Sequence, residues 1–295
     1  MILRACIFTL LCIIFSACAH IPIEHRTAVQ AHSSFVIVHQ VGVFKTEVCN
    51  AGLDCAPIGP FIKLKMGVGS GGVIGHGTSS TYVLTAKHVV TTITPAPEIN
   101  NVLLERLIYE NAVGTDMNPE SVQKLVNEGS VRFTPVGFEY FTDFSDGGRG
   151  QVIDADCDAS NDICLLEVSY QADVARIMLS SVSPYIGEKV YCASAPFGQA
   201  IPELHVVPLF HGIYSGTDVK TPKYPAHSWY TFPSAPGSSG SLILNEGGEL
   251  IGVVIGMSVG HFCGGDAGCA PMSSGITIAV PHSAIVEFLS KRLKK

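Results

Sequence analysis

The chain has 295 residues, 47% of them apolar and 15% charged, with 30 glycines and 17 prolines. That length suits one large β domain or two small ones with a sizeable core, and the composition excludes a disordered or coiled-coil chain. A net charge of −7 gives no electrostatic support to nucleic-acid binding; Lys291, Arg292, Lys294 and Lys295 read as a solvated helix end.

Residues 1–19 have the layout of an export signal. Arg4 supplies the positive start, and the uncharged stretch from Ala5 to about Ala19 is too short to be a spanning helix. Its exit supports two readings. Ala17-Cys-Ala19 fits an A-x-A site with cleavage before His20. Phe15-Ser-Ala-Cys18 resembles a bacterial lipoprotein signal cleaved before Cys18, which becomes the lipidated first residue, although Phe15 stands where Leu is usual. On the lipoprotein reading Ala19 resembles signals sorted to the outer membrane, giving a periplasmic or outer-membrane-anchored protein attached to the membrane through Cys18. On the other reading the protein is secreted. Both readings export the chain.

Beyond the signal, Ser34-Phe-Val-Ile-Val-His39 reads as a first strand, and Val73-Ile74 and Thr81–Thr85 as two more. From Pro95 to about Gly129 the period changes. Ile99, Val102, Leu103, Leu107 and then Val122, Leu125 and Val126 recur at helical spacing, and Asn118-Pro-Glu120 is a helix start. This predicts a helical insertion, over about 96–129, between β segments. Strands resume at Val131–Phe133, Gln151–Ile153 and Ile163–Val168. A second series follows at Lys189–Ala193, Leu204–Val207, Gly212–Ser215, Ser228–Thr231, Ser241–Leu244, Leu250–Ile255 and Gly275–Ala279. Short strands at this rhythm, broken by Gly and Pro, indicate closed barrels or a sandwich. Ile285, Phe288, Leu289 and Leu293 share one face of a terminal helix over 281–293.

Seven of the 10 cysteines follow the signal. Cys49 with Cys55, and Cys263 with Cys269, bracket short loops rich in Gly, Asp or Asn and read as disulfide-closed in an oxidising compartment. Zinc, the competing ligand, does not usually take a C-x5-C spacing. Cys157, Cys164 and Cys192 leave one thiol over; Cys164 and Cys192 both sit in apolar strands, where a cysteine serves as a small hydrophobe.

Three places carry chemistry. His88 ends the strand Tyr82-Val-Leu-Thr-Ala-Lys-His88, Asp162 opens Asn161-Asp-Ile-Cys-Leu-Leu-Glu167, and Ser239 lies in the turn Pro236-Gly-Ser-Ser-Gly-Ser241. Singly they read as a strand end, a cap and a loop serine. Together they are the parts of a serine hydrolase, since a serine hydroxyl needs a histidine to take its proton and an acid to orient that histidine. The order His, Asp, Ser is the chymotrypsin order, not that of subtilisin or the α/β-hydrolases. Residues so far apart in sequence meet only through tertiary structure, most simply with His88 and Asp162 on one barrel and Ser239 on another. Other patterns fail on context. Gly67-Val-Gly-Ser-Gly-Gly72 matches G-x-G-x-x-G but leads into a strand rather than a helix. Asp154–Asp158 resembles a calcium loop, with Ala159 and Leu165 where Gly and Glu are needed. His76, His205, His211 and His261 show no metal spacing.

The residues around the three places resemble the trypsin-like serine proteases. Thr85-Ala-Lys-His88-Val looks like their histidine box. Asn161-Asp-Ile-Cys-Leu-Leu looks like their Asp-Ile-Ala-Leu-Leu box, with Cys164 in the small position, and Gly237-Ser-Ser-Gly-Ser241 looks like their nucleophile box. Gly187–Gly198 and Gly212–Gly216 resemble bacterial HtrA-type members. Gly237–Asn245 with Leu250–Val254 resembles both these and the glutamyl endopeptidases. The resemblance covers about residues 34–290. It implies an all-β fold of two packed antiparallel barrels, at about 34–170 and 180–280 within a domain over 34–295. It also implies a protease acting on proteins or peptides through an acyl-enzyme, with no cofactor and no metal. His88, Asp162 and Ser239 would be its triad, and Gly237 and Ser239 would donate the oxyanion-hole N–H groups. Two departures matter. Ser238 stands where the animal digestive enzymes carry an aspartate that pairs with a newly cut N-terminus, so that mode of activation has no receptor here. Ser241-Leu242 replaces the common Gly-Pro. The resemblance places the specificity pocket between Tyr230–Pro236 and Val254–Val259. No carboxylate occurs there before Asp266, which argues against Lys or Arg specificity and for a small or medium apolar side chain. His261 lies late for recognising an acidic one. The other readings of the same residues are a catalytically silent binding protein, with its triad misaligned or its cleft blocked by the 96–129 insertion, and an esterase using the same triad.

Overall fold

The computed structural model describes residues 23–50, 54–90, 99–158, 160–198, 207–218, 225–263 and 269–292. Two closed antiparallel barrels of six strands each dominate it. The first comprises β1 (Phe35–Cys49), β2 (Cys55–His76), β3 (Thr81–Thr85), β4 (Val131–Phe144), β5 (Arg149–Cys157) and β6 (Cys164–Val168), closing in the order β1-β2-β3-β6-β5-β4. The second comprises β7 (Lys189–Ala193), β8 (Leu209–Thr217), β9 (Ser228–Tyr230), β10 (Leu242–Leu244), β11 (Leu250–Cys263) and β12 (Cys269–Pro281), closing as β10-β11-β12-β9-β8-β7. Closure removes the unpaired edges that open sheets would otherwise expose.

Alternation along β1 shows how one strand serves two cores. Val36 and Val38 point into the first barrel with Val73, Val83, Leu166 and Val168. Phe35 and Ile37 point the other way, into a core shared with Leu242, Leu244, Leu250 and Val253 of the second barrel. Helix α5 (His282–Arg292) caps this shared core with Ile285, Phe288 and Leu289. Each such side chain contributes about 1.5–3 kcal/mol by leaving water. The second barrel is filled by Val190, Cys192, Tyr230, Phe232, Ile243 and Ile251. The turn carrying Ser239 therefore hangs between two independently packed bodies that are joined by a third, shared core.

The insertion is helical, as its period predicts. Helix α3 (Asn101–Thr115) starts where the Asn100 side chain accepts the Leu103 N–H, and stops at Asp116, whose φ of 54° is left-handed. Helix α4 (Pro119–Asn127) has Asn118 as its cap and Pro119 in its first turn. Leu103, Leu107, Ile108, Ala112 and Val122 pack on Phe44, Leu64, Val131 and Phe133, a separate core at the far end of the β1–β2 hairpin. Val102 differs from its expected place and faces outward.

Three elements depart further from the sequence reading. The first strand runs to Cys49 rather than His39, because β2 pairs with it along its whole length, Phe35↔Gly72 to Cys49↔Cys55. Helix α1 (Ile23–Ser33) has no counterpart in the reading. It buries only small residues, with Ala31 in the shared core and Thr27 donating to the Glu246 carbonyl at 2.6 Å, so it lacks an apolar stripe. The strand expected at Leu204–Val207 lies, apart from Val207, outside the described residues. Among the described residues no helix is long and apolar enough to cross a membrane.

Candidate active site

His88 sits in a single helical turn, α2 (Lys87–Val90), directly after β3. Asp162 sits in the turn from β5 to β6. Because β3 and β6 are neighbours in the barrel, with Thr85 opposite Cys164, the ends of the two strands bring these residues together. Asp162 Oδ2 lies 2.5 Å from His88 Nδ1, and Asp162 Oδ1 accepts the His88 backbone N–H at 2.8 Å. Burial opposes ionisation of Asp162, but its bonds to the His88 ring and to the His88 and Lys87 backbones outweigh that. The carboxyl is held below its usual range. Nδ1 is thereby engaged, and Nε2 makes no hydrogen bond among the described residues. The His88 side chain is 42% exposed, open enough to meet a substrate.

The Asp162 turn is closed by a disulfide between Cys157 and Cys164, which face each other across β5 and β6. Asp158 organises its interior, one carboxylate oxygen accepting the N–H groups of Ser160 and Asn161. The sequence left open which of three cysteines pair. Cross-strand register settles it, and Cys192 remains free and buried, its thiol pushed up to about 12 by burial and so unreactive. Cys49 and Cys55 are also bridged. Cys263 and Cys269 face each other in the β11–β12 register, their side chains outside the described residues, and Cys18 lies outside them altogether. The two bridges suit an oxidising, exported environment.

Ser239 lies half-buried ahead of β10, in a turn bounded by Gly237 at φ 98° and Gly240 at φ 89°, conformations that favour glycine. Gly240 lies against Thr85 and Ala86, so this turn packs on the strand end that carries His88. Ser239 Oγ makes no hydrogen bond among the described residues, and the His88 bonds there go to Asp162. Bonds between a nucleophile and its base commonly tighten only around substrate. The N–H groups of Gly237 and Ser239 donate to no described residue, whereas the carbonyls that share their peptide planes are engaged. Pro236 O accepts the Phe197 N–H at 2.5 Å, and Ser238 O accepts the Ser241 N–H at 3.0 Å. The two N–H groups are thus left uncommitted on neighbouring peptides of one turn, as donors to an oxyanion would be. Ser238 is buried and its hydroxyl accepts the Ala235 N–H at 3.2 Å, so the turn organises itself without an incoming N-terminus.

Beside Ser239 opens a pocket of about 180 Å³, lined by Ser234, Ala235, Pro236, Ser238, Val254, Gly256 and Met257. None of these carries charge, and Ser234 is occupied by the Gly256 carbonyl at 3.3 Å. Two features escaped the sequence reading. The bracketing of Asp162 by Cys157 and Cys164 is legible in their spacing, whereas Ser70 lies inside a glycine pattern that gives no such signal.

Two six-stranded barrels with a His–Asp pair at the end of one and a glycine-bounded serine turn on the other define a chymotrypsin-type hydrolase fold. Residues 69–253, more than half of the chain, match the Trypsin-like peptidase domain, and the chain belongs to that family. A search of curated proteins gives no match. Membership supports a serine-protease type of function directed at proteins or peptides.

Proposed function

We propose that the chain is an exported serine endopeptidase that cleaves after small or medium apolar residues. The observation that carries this reading is the His88–Asp162 pair standing beside a serine turn whose Gly237 and Ser239 N–H groups are uncommitted. In the mechanism Ser239 Oγ attacks the peptide carbonyl while His88 Nε2 takes its proton. Asp162 holds the ring and stabilises the imidazolium. The carbonyl oxygen, now negative, takes the two free N–H groups. His88 then passes the proton to the leaving amine, and a water activated by the same nitrogen releases the acyl group from Ser239. The chemistry needs no cofactor. Export, with Cys18 as the lipid-bearing first residue, puts the enzyme where its disulfides persist. The uncharged pocket at Ser239 receives the side chain before the cut bond, and its lining, which holds no charged group, favours an apolar one.

A fluorophosphonate probe tests the nucleophile. Wild-type protein is expected to be labelled once, at Ser239, with Ser239→Ala blank and His88→Ala slowed by about four orders of magnitude. A peptide library should then show cleavage after Ala, Val or similar residues. Equal labelling of Ser239→Ala would sink the assignment.

A further inference from the structure

We propose that Ser70, on β2 of the first barrel, is a positioning residue for the nucleophile turn of the second barrel. It holds the peptide groups on either side of Ser239 so that the Gly237 and Ser239 N–H groups stay aimed at the reacting oxygen. The inference rests on the peptidase reading above and adds to it a residue outside the three catalytic boxes.

A peptide unit is planar, so its N–H direction is fixed once both its carbonyl and its N–H are held. The Gly237–Ser238 unit is held in this way. Its carbonyl accepts the Ser70 hydroxyl at 2.8 Å, and its N–H donates to Ala235 O at 2.9 Å. The Ser239–Gly240 unit is held too, its carbonyl accepting the Ser70 backbone N–H at 2.7 Å and its N–H donating to Val254 O at 2.7 Å. In each case one end is fixed by the second barrel and the other by Ser70. Between these two units lies the Ser238–Ser239 peptide, which carries the free Ser239 N–H. Just before them lies the peptide that carries the free Gly237 N–H.

Ser70 is itself fully determined. It is 0% exposed, so no solvent competes for its hydroxyl. The Ala195 N–H donates to Ser70 Oγ at 3.3 Å, which commits the hydroxyl hydrogen to Gly237 O. The Thr85 hydroxyl donates to the Ser70 carbonyl at 2.7 Å. Gly240 has no room for a side chain, because a Cβ there would overlap that same carbonyl. One serine thus ties β2, β3, the segment after β7 and the nucleophile turn into a single buried network. A network of this kind specifies geometry only while every member is satisfied.

The test compares wild type with Ser70→Ala in the exported, folded protein. Removing the hydroxyl leaves Gly237 O and the Ala195 N–H unpaired in a dry site. With a short peptide substrate, kcat should fall roughly ten- to a hundredfold, somewhat less than the ~10²–10³ of losing an oxyanion donor outright. KM should change by less than about threefold, since ground-state binding is untouched. A peptide boronic acid, whose adduct places an oxygen in the hole, should lose affinity by about the factor lost in kcat/KM. Amide exchange over residues 237–240 should accelerate. Ser70→Thr keeps the hydroxyl and should recover most of kcat, and the near-isosteric Ser70→Cys, a weak donor, covers the case where Ala does not fold. Wild-type kcat with unchanged exchange in Ser70→Ala overturns the proposal. So does an activity loss that merely follows the fraction unfolded. If wild type is never labelled by fluorophosphonate, yet exchange over 237–240 still accelerates in the variant, the positioning role stands and the peptidase reading fails.

Discussion

Asp143 shows how a charge is kept in the wall of the first barrel. His39 Nε2 lies 2.6 Å from one carboxylate oxygen, and Arg149 donates to both oxygens, at 2.5 and 2.9 Å. Burial works against ionisation, but these bonds outweigh it and hold the carboxyl well below the usual carboxylate range. A folded-state value below the unfolded one means that this contribution is complete above about pH 4 and is lost as the pH falls further. Asp143→Asn is therefore expected to cost about 1–3 kcal/mol at neutral pH, because it weakens the partner of the buried His39 ring and takes the counter-charge from the exposed Arg149. Urea unfolding at neutral pH and again below about pH 4 checks both parts, since the variant should lose less on acidification. The same balance operates at Asp162, which stays ionised into acid and so remains an anion beside His88. Residue identity made Asp162 visible in the sequence through its Asp-Ile-Cys-Leu-Leu setting. Nothing local marked Asp143, whose partners come from β1 and the start of β5.

At the scale of elements, the β5–β6 hairpin is the one that carries the candidate acid, and its closure was left open by the sequence. Its turn places Asp162, and the Cys157–Cys164 bridge closes that turn at its base. Cys164 stands where the family resemblance expects alanine, so Cys157→Ser with Cys164→Ala restores an ordinary core residue while opening the turn. Loop-closure entropy puts the loss at about 2 kcal/mol of stability. The looser Asp162 turn should lower kcat more than it changes KM. Thermal unfolding and steady-state kinetics on the double variant decide this, and unchanged kcat would show that the Asp158 turn suffices. The helical insertion illustrates the opposite case. Asn100, Asn118 and Pro119 announce its helices because caps act through the backbone of their own segment. Helix α1 gave no such signal, since it is held by small residues and by contacts from the far end of the chain.

For the whole molecule, the decisive feature is the core shared between the barrels. Phe288 is 1% exposed within it, and α5 is further tied to the first barrel by the Arg292–Asp156 pair at 2.6 Å. Phe288→Ala is expected to cost about 3–5 kcal/mol, and activity should fall with folded fraction rather than through KM, measured by denaturant unfolding alongside activity. If the barrels instead stayed associated and fully stable, the shared core would not be what aligns the cleft. The family, the two-barrel class and the order of the His88, Asp162 and Ser239 boxes were readable from sequence alone. Each box encodes its own local geometry, as the positive φ of Gly237 and Gly240 shows. The contact of Asp162 with His88, the choice of Cys164 over Cys192 as partner for Cys157, and the place of Ser70 under the Ser239 turn were decided only in three dimensions. Each depends on register between strands, or on the seating of one barrel against the other, and no local pattern of residues carries that information.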